Sequence, residues 1–299
     1  MDITAPAPGM ISIVSTAEPT VVLVHGASCN SASWGPAVRE LALRGVRALA
    51  VDLPGHGFGA RIPRGLLGTR DPELLASERS GIAGVGTSDD LASVAAVLRR
   101  AKEHGPVVLV GASRGGATLN AVGNAHPELV DRLVYISAHC PVSAGVGEYH
   151  ASPENAESLL HRTAGLLLAD PGLVGALRFD WGTADAELLD VLQEALLADG
   201  TRDELLTYLH AQDPDESIVI EDELIRANPD TWGRIPRHYV RLPADRAMPL
   251  ALQDRYIAEA DALTPDNRFV VHDLDATHIG VQIHPEPIAE LLQRVITTG

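Results

Sequence analysis

The sequence predicts an α/β fold: a mostly parallel, doubly wound sheet with a helical cap insertion. Three observations predict it. Apolar runs of strand length alternate with helical patterns through the first half of the 299 residues; after Cys140 the helical patterns run on without strands; near His238 the alternation resumes. Strands separated by helices make crossovers, and crossovers build a parallel sheet covered on both faces. Apolar residues are 45% of the chain and charged residues 21%, enough to bury a sizeable core. Aromatics are only 4%, so a binding pocket is expected to be lined more by aliphatic than by aromatic side chains.

Taken in order, Thr20–His25 reads as a buried strand. Ser33–Arg44 carries Trp34, Val38 and Leu41 at helical spacing and stops at Gly45. Val46–Val51 is a second strand. Thr87 with Asp90 reads as a capping box opening a helix through Lys102. Val107–Val110 is a third strand, followed by a helix from Gly115, and Leu133–Ser137 is a fourth. Helices are then expected over Pro153–Leu168, Ala184–Ala198, Arg202–Ala211 (capped by Thr201 and Glu204) and Asp222–Ala227. His238–Leu242 and Phe269–His272 read as strands, Leu250–Ala262 and Pro287–Ile296 as helices. The expected division is a core of residues 1–139 and 234–299 with a helical cap of 140–233. A second insertion, between Gly57 and Gly86, is rich in Gly and Arg with little periodicity. It reads either as a surface loop or as a flap over a site.

Twenty-three basic against 40 acidic side chains leave a formal net charge of −17. Nucleic acid and anionic membranes would meet net repulsion, so a small-molecule partner is expected. No apolar run approaches the roughly 18 residues of a membrane span. Met1–Gly9 has no basic stretch followed by an apolar one, so no signal peptide is expected. Cys29 and Cys140 are too few for a disulfide framework and read as buried free thiols in the cytoplasm.

Gly111-Ala112-Ser113-Arg114-Gly115 is the sharpest motif, a G-x-S-x-G between an apolar strand and a helix. A serine in a tight strand-to-helix turn is held out from the backbone, and the helix N-terminus behind it favours developing negative charge. Serine needs a base, and the base an orienting acid. His278 follows the last strand and precedes the closing helix, which is the place for the base; His284 is the alternative and His272 reads as structural. Asp245 follows His238–Leu242 and reads as the acid. Asp254 falls within a helix pattern, Asp273 and Asp275 lie too near His278, and Ser137-Ala138-His139 offers no carboxylate. The amides of Ala27 and Arg114 are expected to form an oxyanion hole, with Gly26 letting the backbone approach. His25 and His56 read as structural. His139 and Cys140 follow a strand at the same sheet edge and are expected to line the pocket. The Arg114 side chain is expected to reach solvent or a structural partner, rather than a substrate carboxylate or a cap acid.

With His25-Gly26, Asp52-x-x-Gly55-x-Gly57, Gly111-x-Ser113-x-Gly115, Asp245 and His278 in this order, the chain resembles an α/β-hydrolase. Within that superfamily it resembles the plant methylesterase and hydroxynitrile lyase branch, through His25-Gly26-Ala27-Ser28-Cys29 and the downstream Trp34. The resemblance implies a cofactor-independent serine esterase, with no metal, acting on a methyl ester or lactone of a small to medium apolar compound. A lyase or cyclase on the same scaffold is the alternative. The lyases carry Thr after the His of the first motif and Lys after the base; here Gly26 and Ile279 stand there. Relatives with an Asp nucleophile, dehalogenases and epoxide hydrolases, are disfavoured by Ser113.

Overall fold

Alternate residues of each central strand enter opposite layers, and this period of two builds the core. A computed structural model describes residues 18–297, so Met1–Gly9 lies outside the described residues. The strands are β1 (Thr20–Val24), β2 (Arg47–Val51), β3 (Val107–Ser113), β4 (Arg132–Ala138), β5 (Leu177–Arg178), β6 (Asp215–Glu216), β7 (Arg237–Arg241) and β8 (Val270–Asp273). The helices are α1 (Gly35–Leu43), α2 (Pro72–Ser77), α3 (Thr87–Lys102), α4 (Gly115–Ala125), α5 (Val146–His150), α6 (Pro171–Val174), α7 (Ala186–Leu196), α8 (Arg202–His210), α9 (Asp222–Ile225), α10 (Leu250–Leu263), α11 (Gly280–Ile283) and α12 (Glu286–Thr297).

Among the described residues, six strands form one sheet in the order β2-β1-β3-β4-β7-β8, every neighbouring pair parallel. Val22, Val24, Leu109 and Leu133 pack toward Leu98 of α3, Leu119 of α4 and Leu252 of α10. Val21, Leu23, Val108 and Val110 pack toward Leu41 of α1 and Ile288 and Leu292 of α12. The chain leaves β1 toward one edge of the sheet and β3 toward the other. Such a switch point opens a crevice at the carboxyl ends of the strands, where open α/β sheets bind ligands. Among the described residues no helix is long and apolar enough to cross a membrane.

The expected parallel α/β sheet is present, with differences at the insertions. α3 runs Thr87–Lys102, but its N-cap is Gly86, whose N–H donates to the Asp89 carboxylate at 3.0 Å. Asp90 instead turns inward. Pro153–Leu168 is not one helix but three short turns, at Pro153–Asn155, Leu159–Arg162 and Ala164–Leu166. Its hydroxyls bond locally or across the fold: Ser158 Oγ donates to Ala247 O at 2.8 Å and Thr163 Oγ1 to Leu160 O at 2.8 Å. Such bonds compete with a continuous helical ladder. The expected Thr201–Glu204 capping box is there, with Thr201 N donating to Glu204 Oε2 at 2.7 Å.

Where only helices were expected, β5 and β6 form a small antiparallel ribbon. Its centre is a buried fork. Arg178 donates from Nε and Nη2 to the two oxygens of Asp215 at 2.7 and 2.8 Å. The segment between Gly57 and Gly86 docks on this ribbon. Arg178 Nη1 donates to Leu75 O and Glu78 O, and Ser80 Oγ to Asp215 Oδ2 at 2.6 Å.

Candidate active site

The end of β3 carries Ser113 in a left-handed conformation, φ 52°. A non-glycine residue is rarely found there, and such strain collects at functional turns. The register between β3 and β4 slips between Ala112 and Ser113, which turns Ser113 out of the ladder, and α4 begins two residues later. Two glycines make room. A β-carbon at Gly115 would lie 2.7 Å from His25 O, and one at Gly26 would lie 3.1 Å from Ser113 Cβ.

Asp245 sits in the turn after β7, its side chain fully buried and saturated with donors. Its Oδ2 accepts from His278 Nδ1 and from Ser137 Oγ, each at 2.6 Å. Its Oδ1 accepts from the amides of Ala247 and Met248 at 2.7 and 2.8 Å. An imidazole donating from Nδ1 to a carboxylate keeps the Nε2 lone pair. Burial opposes a charge on His278, but the Asp245 charge and hydrogen bond outweigh it and raise its pKa above the ordinary value. The other candidates are engaged elsewhere. His284 faces Glu204 at 3.8 Å, His272 Nε2 meets His238 Nδ1 at 2.9 Å, and Arg241 holds both Asp254 and Asp273. Arg246, the neighbour that could have paired with Asp245, reaches Glu194.

Ser113 and His278 line a cavity of about 390 Å³ together with Gly26, Ala27 and Ser28. The segment 140–233 supplies most of the remaining wall, among it Leu166, Phe179, Trp181, Leu192, Leu196 and Leu209. Aliphatic groups outnumber aromatic ones there, as the composition implied. Residues 58–86 contribute nothing to this lining. Ser113 and His278 also line a second cavity of about 180 Å³, with His139, His150, Asn155 and Ser158. Among the described residues no group of three His, Cys, Asp or Glu side chains could hold a metal ion.

The model of the alpha/beta hydrolase family matches residues 21–291. The chain belongs to the alpha/beta hydrolase family. Relatives of this alpha/beta hydrolase include a pyrethroid hydrolase of Sphingobium wenxiniae, 32% identical over 118 residues (40% of this chain, 35% of that protein). An esterase of Mycobacterium tuberculosis is 30% identical over 143 residues (48% of this chain, 41% of that protein). The aligned stretch thus spans less than half the length of either curated relative. Among solved structures, a pyrethroid hydrolase from Sphingobium faniae has a TM-score of 0.67 at 23% identity, covering 93% of this chain and 97% of that one. An extracellular alpha/beta-hydrolase from a Paenibacillus species, described as homologous to tobacco salicylic acid binding protein 2, has a TM-score of 0.65 at 18% identity, covering 92% and 98%. The structural neighbours share the fold.

One expectation for this hydrolase needs correction. Cys140 does not line either cavity: it is fully buried in the core, its Sγ 3.6 Å from Asn120 Oδ1, and burial pushes its thiol up to about 12. Strand β4 has ended before it, and its side chain turns under the sheet edge while His139 faces the smaller cavity. The Arg114 side chain reaches a structural partner, Asp90 of α3, and also an acid of the 140–233 segment. Half-buried, it lies between Asp90 Oδ2 at 3.2 Å and Glu216 Oε1 at 3.5 Å. His25 is structural as expected: its Nδ1 meets Gly26 O at 2.8 Å and its Nε2 accepts from Leu53 N at 3.1 Å. Burial, with His56 adding, lowers its pKa to about 4. Cys29 and Cys140 are both free and buried.

Ser137 and Glu216 are the site residues the motifs did not reveal. Ser137 stands at the sheet edge where a carboxylate was sought, and donates to Asp245 from the next strand. Glu216 gave no motif, because apart from the next amide its partners lie far off in sequence: Ser28 after β1, His56 after β2 and Arg114 at the head of α4.

Proposed function

We propose that this chain is a cofactor-independent carboxylic ester hydrolase working through Ser113, His278 and Asp245 and an acyl-enzyme. One arrangement carries the reading: a serine held in a strained turn and an imidazole bonded through Nδ1 to a buried carboxylate line the same apolar cavity. Ser113 Oγ attacks the ester carbonyl. His278 Nε2 takes its proton and returns it to the leaving alcohol, while Asp245 holds the tautomer and stabilises the imidazolium. The amides of Ala27 and Arg114 receive the oxyanion, and water then releases the acid. Relatives named esterase and pyrethroid hydrolase support the same chemistry.

The substrate we infer is a methyl ester or lactone of a small to medium apolar compound. The cavity of about 390 Å³ suits the apolar arm, and the cavity of about 180 Å³ suits a compact one. Residues 140–233 act as the cap that closes over it. Gly26 and Ile279, at the positions the lyases fill with Thr and Lys, favour hydrolysis. Two buried thiols favour a reducing, cytoplasmic setting.

Labelling by a fluorophosphonate and turnover of p-nitrophenyl esters of increasing chain length test the reading. Ser113→Ala is expected to lose labelling and to lower kcat by about 10⁴ to 10⁶. Retained turnover in that variant refutes it. Hydrolysis in oxygen-18 water is expected to leave label in the product acid, whereas a lyase or cyclase leaves none. Leu196→Trp, which fills part of the larger cavity, is expected to raise KM for octanoyl relative to acetyl esters by about tenfold. An unchanged chain-length profile would place the apolar arm elsewhere.

A further inference from the structure

We propose that Glu216 is a positioning residue: one carboxylate, carried by the 140–233 segment, that fixes both sides of the oxyanion site. The proposal rests on the oxyanion role read above for the amides of Ala27 and Arg114. Glu216 is 3% exposed, at the end of the ribbon strand β6. Its Oε2 accepts from the Ser28 N–H at 2.6 Å and lies 3.4 Å from His56 Nε2. Its Oε1 accepts from the Ser217 N–H at 2.7 Å and lies 3.5 Å from Arg114 Nε.

These contacts fall on the two segments that must hold still. Ser28 follows Ala27 directly and is left-handed, φ 57°, a conformation that persists only where its surroundings over-determine it. The bond to Glu216 does so. Arg114 follows the nucleophile directly and is the cap residue of α4; its side chain, braced between Glu216 and Asp90, ties that turn down. The charges agree with the geometry. Burial alone would raise the Glu216 pKa, but Arg114 and His56 outweigh it and hold it down to about 2. Asp90, where burial dominates, is pushed up to about 6.

A bridge needed only to join two layers would be served by Arg114 and Asp90, which both belong to the sheet and its helices. Glu216 instead reaches from outside the sheet to a backbone amide bordering the cavity. Its own place is set by the adjacent Asp215, forked by Arg178 and bonded to Ser80. The oxyanion site is therefore complete only when the ribbon is seated, and substrate cannot be turned over efficiently beneath an unseated cap.

The test compares wild type, Glu216→Gln and Glu216→Ala for kcat, KM, melting temperature and affinity for an aryl trifluoromethyl ketone, which mimics the tetrahedral oxyanion. Glu216→Ala is expected to lose about 10²-fold in kcat, the scale of one lost oxyanion donor, with a parallel loss of ketone affinity and little change in KM. Glu216→Gln, which keeps an oxygen for Ser28 but loses the charge, is expected to fall between. A folded Glu216→Ala with wild-type kcat and ketone affinity overturns the proposal, even if its melting temperature has dropped. If the Ala variant does not fold, the Gln variant decides on the same readings: lost kcat and ketone affinity support the proposal, and wild-type values overturn it. Failure of the underlying reading is distinct, since it shows as turnover surviving in Ser113→Ala.

Discussion

Asp245→Asn is expected to lower kcat about 10⁴-fold while leaving the fold intact, because an amide in that place stabilises the wrong imidazole tautomer. The effect follows from how Asp245 is held. Four donors converge on its two oxygens: His278, Ser137 and two backbone amides. An asparagine that keeps its oxygen on the Ala247 and Met248 amides must turn its NH₂ toward His278 Nδ1. The ring then accepts at Nδ1 and carries its proton on Nε2, where it cannot take one from Ser113. The pH profile supplies a second reading. The Asp245 charge raises the His278 pKa above the ordinary imidazole value. Activity needs the neutral ring, so the acid limb of kcat/KM in the wild type is expected above pH 6.5, with activity falling as pH drops through it. In Asp245→Asn that limb should move to lower pH. Wild-type kcat in the variant, or a limb that does not move, would remove Asp245 from the mechanism.

Arg178→Met is expected to cost about 3–5 kcal/mol of stability, the scale of breaking a buried ion pair by removing one partner. Arg178 is fully buried, and its guanidinium makes four hydrogen bonds, two to Asp215 and one each to the carbonyls of Leu75 and Glu78. Methionine fills the space but leaves Asp215 charged in the interior with Ser80 as its remaining side-chain partner. Urea unfolding followed by circular dichroism measures the loss. Because Asp215 adjoins Glu216, the same variant is expected to lose kcat ahead of global unfolding. A variant as stable as wild type would mean that the ribbon is held by apolar packing instead.

The sheet and its helices were legible because period-two and period-3.6 patterns are local. Thr87–Lys102 was found at both ends; Ser113 closes a strand, and Asp245 and His278 follow strands, that apolar runs announce. Residues 140–233 were less legible. In Pro153–Leu168, apolar spacing suits a helix, but hydroxyls at Ser158 and Thr163 spend their bonds elsewhere. The ribbon of β5 and β6 has two residues per strand, too few for any periodicity, and its cohesion comes from Arg178 meeting Asp215 across 37 positions. Glu216 is further still, 188 positions from Ser28. A pairing over such a distance is decided by the folded surface. The capping acid of α3 shows the same limit at short range: Asp89 and Asp90 are alike in sequence, and only the ion pair with Arg114 separates their tasks.

Ser28, Ser113 and Ser137 all carry positive φ, and all three border the nucleophile, its amide loop or its acid. Each such residue costs on the order of 1–2 kcal/mol that glycine would not. The molecule therefore keeps its least comfortable backbone at its working edge and its most regular backbone below it. Glycine exchange would relieve that strain, but at Ser113 it removes the proposed nucleophile and at Ser137 a buried donor to Asp245; tolerant positions lie on the outer faces of α3 and α12.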